Sequence, residues 1–234
     1  NYAKKIYETF HFSEILSKII SIKKIELDQI ENFINPTIKK SIPNPNSIKD
    51  MDIATYTTIS HMKNKNIIGI FGDYDVDGAT STAVLAKFFK QLNQPFELLI
   101  PDRIKDGYGP TEKGFDLLID KGSKLIISAD CGTSSFDAIL HAKNKNIDTI
   151  VLDHHQSDIK LPKATAIVNP NRIDDESKLS YLCAAGVCFM FLVSLNIKLR
   201  NLNWFKLNNI TEPDILNYLD LVCLGTICDV VPVI

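Results

Sequence analysis

The sequence predicts an α/β fold, a parallel sheet with helices on both faces, preceded by a short helical N-terminal segment. Two observations carry this. Short apolar runs alternate with stretches of helical spacing from residue 67 onward, at lengths that suit strand–helix–strand crossovers. Acidic and imidazole residues then fall directly after several of the runs, where an open parallel sheet places its ligand crevice.

Residues 1–60 read as helical at low periodicity, interrupted by the turn-rich Pro43, Asn44, Pro45 and Asn46. Residues 67–71 form an apolar run ending in Gly72, followed by a loop from Asp73 to Gly78 and helical spacing over 79–92. The same unit recurs: strand 96–100, helix 111–120, strand 125–129, helix 134–143 and strand 147–152, with a further strand at 164–168. Two apolar helices follow at 181–199 and 213–223, before a strand-like run over 224–233. We therefore divide the chain into a helical segment, 1–60, and one α/β domain, 61–234. There is no internal repeat and no low-complexity stretch.

At 234 residues the chain is long enough for a substantial core. Its 45% hydrophobic and 23% charged residues, with a net charge of −2, are ordinary globular composition and exclude a disordered tail, a collagen or a coiled coil. Near-neutrality gives no large basic face, so any contact with nucleic acid must be local. Only three of the 26 basic residues are Arg (Arg103, Arg172 and Arg200), so each is more informative than a Lys. The five cysteines, Cys131, Cys183, Cys188, Cys223 and Cys228, form no C-x-x-C pair and read as reduced buried thiols of a cytoplasmic protein. There is no signal peptide and no apolar run of about 18 residues, so no membrane contact is expected. The chain starts without Met and stops after an apolar run, and we read it as a fragment of something longer.

Three non-adjacent strands deliver polar groups to one edge: Asp73, Asp75 and Asp77 after the first, Asp130 after the strand ending at 129, and Asp153, His154 and His155 after the strand ending at 152. Asp before Gly is common turn chemistry. But Asp73, Asp75 and Asp77 alternate, so an extended loop points them the same way, and like charges that close need a cation. The tandem histidines read either as a solvated loop or as one metal ligand beside one phosphate-facing donor. Oxygen-rich ligands with a single imidazole suit manganese or magnesium better than zinc. Two such ions bridged by a carboxylate activate a water for in-line displacement at phosphorus. Asp229, alone in an apolar stretch, is either an internal cap or a further ligand.

The motifs Phe71-Gly-Asp-Tyr-Asp-Val-Asp-Gly78, Ser128-Ala-Asp-Cys-Gly132, Asp153-His-His155 and Gly225-Thr-Ile-Cys-Asp-Val-Val-Pro232 resemble, in order, those of the DHH phosphoesterase superfamily. The likeness is closest to its bacterial single-strand-specific 5′ to 3′ exonuclease branch, which Pro101-Asp-Arg-Ile-Lys-Asp-Gly-Tyr-Gly109 and Cys183-Ala-Ala-Gly-Val187 also resemble. It runs from about residue 50 to the end.

The resemblance implies that Asp75 and Asp130 hold one manganese (or magnesium) ion and that Asp77, Asp130, His154 and Asp229 hold a second, Asp130 bridging. It implies that His155 contacts the scissile phosphate and positions it or protonates the leaving oxygen. Asp153 would then orient an imidazole and Asp73 support the ligands. Arg103 is the candidate for a substrate phosphate, since a guanidinium offers paired donors. Tyr108, between Gly107 and Gly109, is the candidate for stacking a base. Cys131 and Cys228 beside ligands read as small buried residues, and Trp204 and Phe205 as core or domain-contact residues.

The expected partner is single-stranded DNA with a 5′ end, with a single-strand-binding protein or a helicase as further partners of a full-length protein. Two departures stand out. Several relatives carry a His four residues before the equivalent of Asp75, where this chain has Phe71, so the first ion loses a ligand. The DHH-associated and oligonucleotide-binding domains that follow the last motif in the exonucleases lie outside this chain. Two other readings remain open: a phosphodiesterase of short oligonucleotides or cyclic dinucleotides, or a pyrophosphatase, whose members usually keep the missing His; and a non-catalytic scaffold, as in the eukaryotic replicative-helicase component with lost ligands.

Overall fold

A computed structural model describes residues 1–233, and the chain divides into two compact units, Asn1–Asn44 and Pro45–Ile234. The first is built of α1 (Tyr2–Phe10), α2 (Glu14–Ile22) and two short helices, α3 (Ile30–Ile34) and α4 (Ile38–Ser41). Ser13 caps α2 by accepting from the Leu16 N–H, and Ile6, Ile20 and Ile30 are buried together as a small core.

The second unit begins with a 3-10 turn, Pro45–Ser47, and α5 (Met51–Lys63). It continues with β1 (Ile67–Gly72), α6 (Val76–Gln91), β2 (Phe96–Leu99), α7 (Glu112–Asp120), β3 (Ser123–Ala129), α8 (Phe136–Asn144), β4 (Asp148–Leu152) and β5 (Ala166–Val168). It closes with α9 (Ala184–Asn201), α10 (Trp204–Leu207), a 3-10 turn at Ile215–Tyr218 and α11 (Leu219–Cys228). Every strand pair is parallel, in the order β2-β1-β3-β4-β5. The expected α/β class with helices on both faces is what the chain adopts. α7 and α8 cover one face over Phe71, Phe115, Leu118, Ile126, Ile139 and Val151. α5, α6 and α9 lie on the other, where the apolar α9 is buried along nearly its whole circumference. Among the described residues no helix is long and apolar enough to cross a membrane.

Four expectations are corrected. The three strands that deliver the polar groups are neighbours, because the chain turns outward from β1 to β2 and then crosses back to lay β3 on the other side of β1. That reversal is the topological switch point where ligand crevices form. Second, α6 begins at Val76, not at 79: the Asp75 carboxylate accepts from the Gly78 N–H as an N-cap, and Asp77 lies in the first helical turn. Asp73, Asp75 and Asp77 therefore do not share one face of an extended loop. Third, the run after 223 is not a strand. α11 continues to Cys228 and Asp229 is its C-cap, because this segment packs sideways on α6 and α9 instead of joining the sheet. Fourth, Cys223 and Cys228 are exposed, so only Cys131, Cys183 and Cys188 are buried thiols.

α5, which a division at residue 60 assigns to the N-terminal segment, packs on α9 and β5. Its N-terminus is tied to β5 by Arg172, 8% exposed, which donates to Asp50 Oδ2 at 2.6 Å, to the Ile167 carbonyl at 2.6 Å and to Asp174 Oδ1 at 2.9 Å. Arg172, helped by Lys49, holds the Asp174 carboxyl down to about 2. A carboxyl depressed in the folded state stabilises above its unfolded value and loses that contribution as pH falls. The melting temperature should therefore drop between about pH 4 and pH 2, and less steeply in Asp174→Asn, as calorimetry across that range would measure. Asp174 is half exposed, which keeps the difference small.

Candidate active site

The residues after β1, β3 and β4, joined by the end of α11, meet at the carboxyl edge of the sheet. His154 Nε2 lies 3.4 Å from Asp130 Oδ1, 3.6 Å from Asp229 Oδ2 and 3.8 Å from Asp77 Oδ2. Three sets of ligand atoms cluster within 4.8 Å: Asp73, Asp75 and Asp130; Asp77, His154 and Asp229; and Asp130, His154 and His155. Asp130 belongs to two of them, at the junction of the cluster. All five residues expected to bind metal, and both expected to support them, are thus gathered in one place.

Charge at this edge is heavily buried. Asp73, Asp77, Asp130 and Asp153 are each at most 2% exposed. Burial, reinforced by Asp77, Asp75 and Asp153, pushes the Asp130 carboxyl up to about 10. Burial also raises Asp73 and Asp229. Asp130 sits at φ 64°, a left-handed backbone that Asp tolerates better than most residues, between β3 and the turn through Gly132.

Asp153 behaves in the opposite way. Burial would raise it, but hydrogen bonds from His155 and Thr133 bring it down to about 2. Its Oδ1 faces His155 Nδ1 at 2.8 Å and accepts from the His154 N–H at 2.7 Å, while Oδ2 accepts from the Thr133 N–H at 3.0 Å. The same contact with Asp153 raises His155, which stays half exposed at the mouth of the cluster.

The donor set fits a divalent cation. Asp130 Oδ1 and His154 Nε2 are buried and have no hydrogen-bond partner among the described residues, and such atoms are costly unless something satisfies them. Ligands of one ion bound at about 2.1 Å lie roughly 3–4 Å apart, the spacing seen around His154 Nε2.

The predicted substrate residues line the same mouth. The Tyr108 hydroxyl is 3.3 Å from His155 Nε2, and its ring meets that of Tyr74 edge-on at 6.4 Å between centroids. The Arg103 guanidinium lies over the Tyr74 ring at 5.2 Å. Gly107 and Gly109 both have left-handed backbones, φ 78° and 76°. Phe71 is instead a core residue: its ring packs edge-on against Phe115 at 5.6 Å and closes on Gly114.

Sequence reasoning missed the support for Asp77. The carboxylate accepts from the first two N–H groups of α9, Ala184 at 2.6 Å and Ala185 at 2.9 Å, so a helix N-terminus stabilises its charge. Gly225 of α11 closes the other side, where a Cβ would fall 2.7 Å from Asp77 Oδ1. Both lie more than 100 residues away in sequence and carry no local signal of that role.

Comparison with known proteins agrees with this fold. The single-stranded-DNA-specific exonuclease RecJ of Haemophilus influenzae is 38% identical over 194 residues, 82% of this chain and 33% of that protein. RecJ of Bacillus subtilis is 30% identical over 229 residues, 98% of this chain and 27% of that one. The chain thus spans about a third or less of the length of these relatives. The crystal structure of exonuclease RecJ bound to manganese superposes with a TM-score of 0.68 at 28% identity, over 79% of this chain and 44% of that one. RecJ in complex with Mn2+ from Thermus thermophilus gives 0.62 at 26% identity, over 79% and 25%. Residues 67–226, which contain every strand and most of the clustered carboxylates, match the DHH family, N-terminal domain, and the chain belongs to that family.

Proposed function

We propose that this chain carries the catalytic part of a metal-dependent exonuclease that hydrolyses single-stranded DNA from its 5′ end, in recombination and repair. One observation carries the reading: the buried, unpartnered Asp130 Oδ1 and His154 Nε2, converging with Asp77 and Asp229, form a cation site at the switch point of the sheet. In this reading Asp75 and Asp130, supported by Asp73, hold one manganese or magnesium ion, and Asp77, Asp130, His154 and Asp229 hold the other. When bound, such a pair lowers the pKa of a water and neutralises charge developing at phosphorus.

The chain's own residues do the remainder. The α9 N-terminus orients the Asp77 carboxylate. Asp153 fixes the His155 ring by Nδ1 and favours its protonated form, leaving Nε2 to face the scissile phosphate and give its proton to the leaving oxygen. Arg103 takes a substrate phosphate with paired donors, Tyr108 stacks a base, and Gly109 lets that loop approach the backbone. We assign a helical preface and a phosphoesterase domain, with the boundary moved from residue 60 to before α5, because α5 packs on α9 and β5, and with strand-selecting domains following in the full-length protein. The cytoplasm is its place of action, with a single-strand-binding protein or helicase as further partners.

The test is release of mononucleotides, with manganese, from matched 5′-phosphorylated single-stranded and duplex DNA and from a cyclic dinucleotide, for the chain and for Asp75→Ala. Degradation of the single strand alone, lost in the variant, is the expected result. Cleavage of the dinucleotide alone would move the chain to the small-substrate branch of the family. Manganese binding without any cleavage would leave the site reading intact and assign turnover to the full-length protein.

A further inference from the structure

β5 is the one strand on the His154 side of the sheet that delivers no carboxylate or imidazole to the cluster, yet the segment after it reaches both histidines. Asn169 directly follows β5 and is fully buried. Its Nδ2 donates to the His155 carbonyl at 2.9 Å and to Thr133 Oγ1 at 3.0 Å, and its Oδ1 accepts from the Asn171 N–H at 2.8 Å. The amide thus uses both donors and its acceptor, so its orientation is set. Asn171, half-buried, donates its own Nδ2 to the His154 carbonyl. Thr133 in turn donates its N–H to Asp153 Oδ2 at 3.0 Å, and the Asp153 N–H donates to the Val168 carbonyl at 3.1 Å.

These bonds join three loops, those after β3, β4 and β5, and they take hold of the two histidines by their backbone carbonyls. Asp153 holds the same residues from the other side, through both backbone N–H groups and through the His155 ring. A pair of adjacent residues whose side chains must face different ways, His154 into the cluster and His155 to its mouth, needs its peptide planes fixed. For His154 the side chain alone cannot do this, because its Nε2 has no hydrogen-bond partner among the described residues to orient it.

We propose that Asn169, with Asn171, is a positioning residue for the catalytic cluster: a pair of carboxamides that clamps the His154 and His155 carbonyls and so sets His154 toward the metal and His155 toward the phosphate. The roles it serves rest on the proposed function, whereas the clamp itself is a property of the metal-free chain. Residues that orient ligands from outside the coordination sphere typically matter about 10- to 100-fold for metal affinity or activity.

Two measurements on the whole chain test it. The first is the low-field proton NMR signal of His155 Nδ1–H in metal-free protein, which the 2.8 Å contact with buried Asp153 should protect from exchange, assigned by its loss in His155→Gln. The second is manganese affinity, from the electron paramagnetic resonance signal of free Mn2+. Asn169→Ala should broaden or lose the proton and weaken manganese about 10-fold or more. An Asn169→Ala protein that melts cooperatively and keeps both the proton and wild-type affinity overturns the clamp. Should that variant fail to fold, Asn171→Ala decides, since it leaves Asn169 in place and frees only the His154 carbonyl. Weakened manganese binding there supports the proposal, and unchanged binding refutes it. If wild-type protein binds no manganese, the metal reading fails, while the imidazole proton in the variants still decides the clamp.

Discussion

Asp130→Asn should abolish manganese-dependent hydrolysis while leaving the metal-free chain as stable as before. Asp130 is 1% exposed, and Asp77, Asp75 and Asp153 crowd it, so burial and like charge hold its carboxyl neutral in the absence of metal, its pKa raised to about 10. Replacing a neutral carboxyl by a neutral carboxamide of the same shape removes no buried charge and creates no cavity. Asn also accepts the left-handed backbone that this position adopts, φ 64°. The stability change should stay within about 1 kcal/mol of wild type, as expected where no packing or ion pair is lost.

Metal binding is another matter. In the proposed arrangement Asp130 would be shared by both ions as an anion, and a neutral carboxamide is a much weaker ligand for two divalent cations. Removing it should cost at least ~100-fold in manganese affinity, the upper end of what mere orienting neighbours cost. Calorimetry with and without manganese measures both halves. Wild-type protein should gain melting temperature on adding the ion, and Asp130→Asn should not. A variant that still gains melting temperature with manganese, or still hydrolyses DNA, would rule out the bridging role proposed for Asp130.

The second large effect is expected at a glycine. In the interior of a helix, Gly→Ala normally stabilises by about 0.5–1 kcal/mol, and Gly225 lies inside α11. Here the opposite should hold. A Cβ at 225 would fall 2.7 Å from Asp77 Oδ1, 2.7 Å from Thr80 Oγ1 and 2.9 Å from the Ala185 Cβ. None of these can retreat easily, because Asp77 is pinned by the N–H groups of Ala184 and Ala185 and Thr80 bonds back to the Val76 carbonyl at 2.9 Å.

Overpacking of this kind costs roughly 1–3 kcal/mol, which exceeds the helical gain. Gly225→Ala should therefore melt several degrees lower, at about 2–4 °C per kcal/mol for a chain of this size, and should bind manganese more weakly as Asp77 is displaced. Gly186→Ala in α9 is the control, because the three atoms nearest its Cβ would all belong to the flexible side chain of Leu182, the closest at 3.2 Å. Equal melting temperatures for wild type and Gly225→Ala would show that α11 does not lean on Asp77 as described.

These two positions mark where reading the sequence succeeds and where it stops. The strands were legible to within a residue or two at most ends, because strands of a parallel sheet are buried on both faces and appear as continuous apolar runs. The carboxylates after β1, β3 and β4 were legible for the same reason, since the crevice of such a sheet lies at its carboxyl edge. The start of α6 was not. Asp73 to Gly78 carries the residues of a turn, and an N-cap followed by a first helical turn uses the same ones. The end of α11 was missed because Gly225, Thr226 and Ile227 have weak helix propensity, and only packing on α6 and α9 makes the helix continue.

By itself, then, the sequence determined the α/β class, the strand positions and the set of acidic and imidazole residues at one edge. These follow from local pattern, from apolar runs and from what directly succeeds them. The tertiary structure alone decided that β1, β3 and β4 are neighbours, that Asp77 leaves its two companions for His154 and Asp229, that Phe71 is a core residue, and that Ala184 and Ala185 donate to Asp77 while Asn169 and Asn171 donate to the His155 and His154 carbonyls. Each of these depends on contacts between segments at least 14 residues apart, and several are made by backbone N–H groups and carbonyls. Such groups are common to nearly every residue, so their roles appear only once packing brings them within hydrogen-bonding distance.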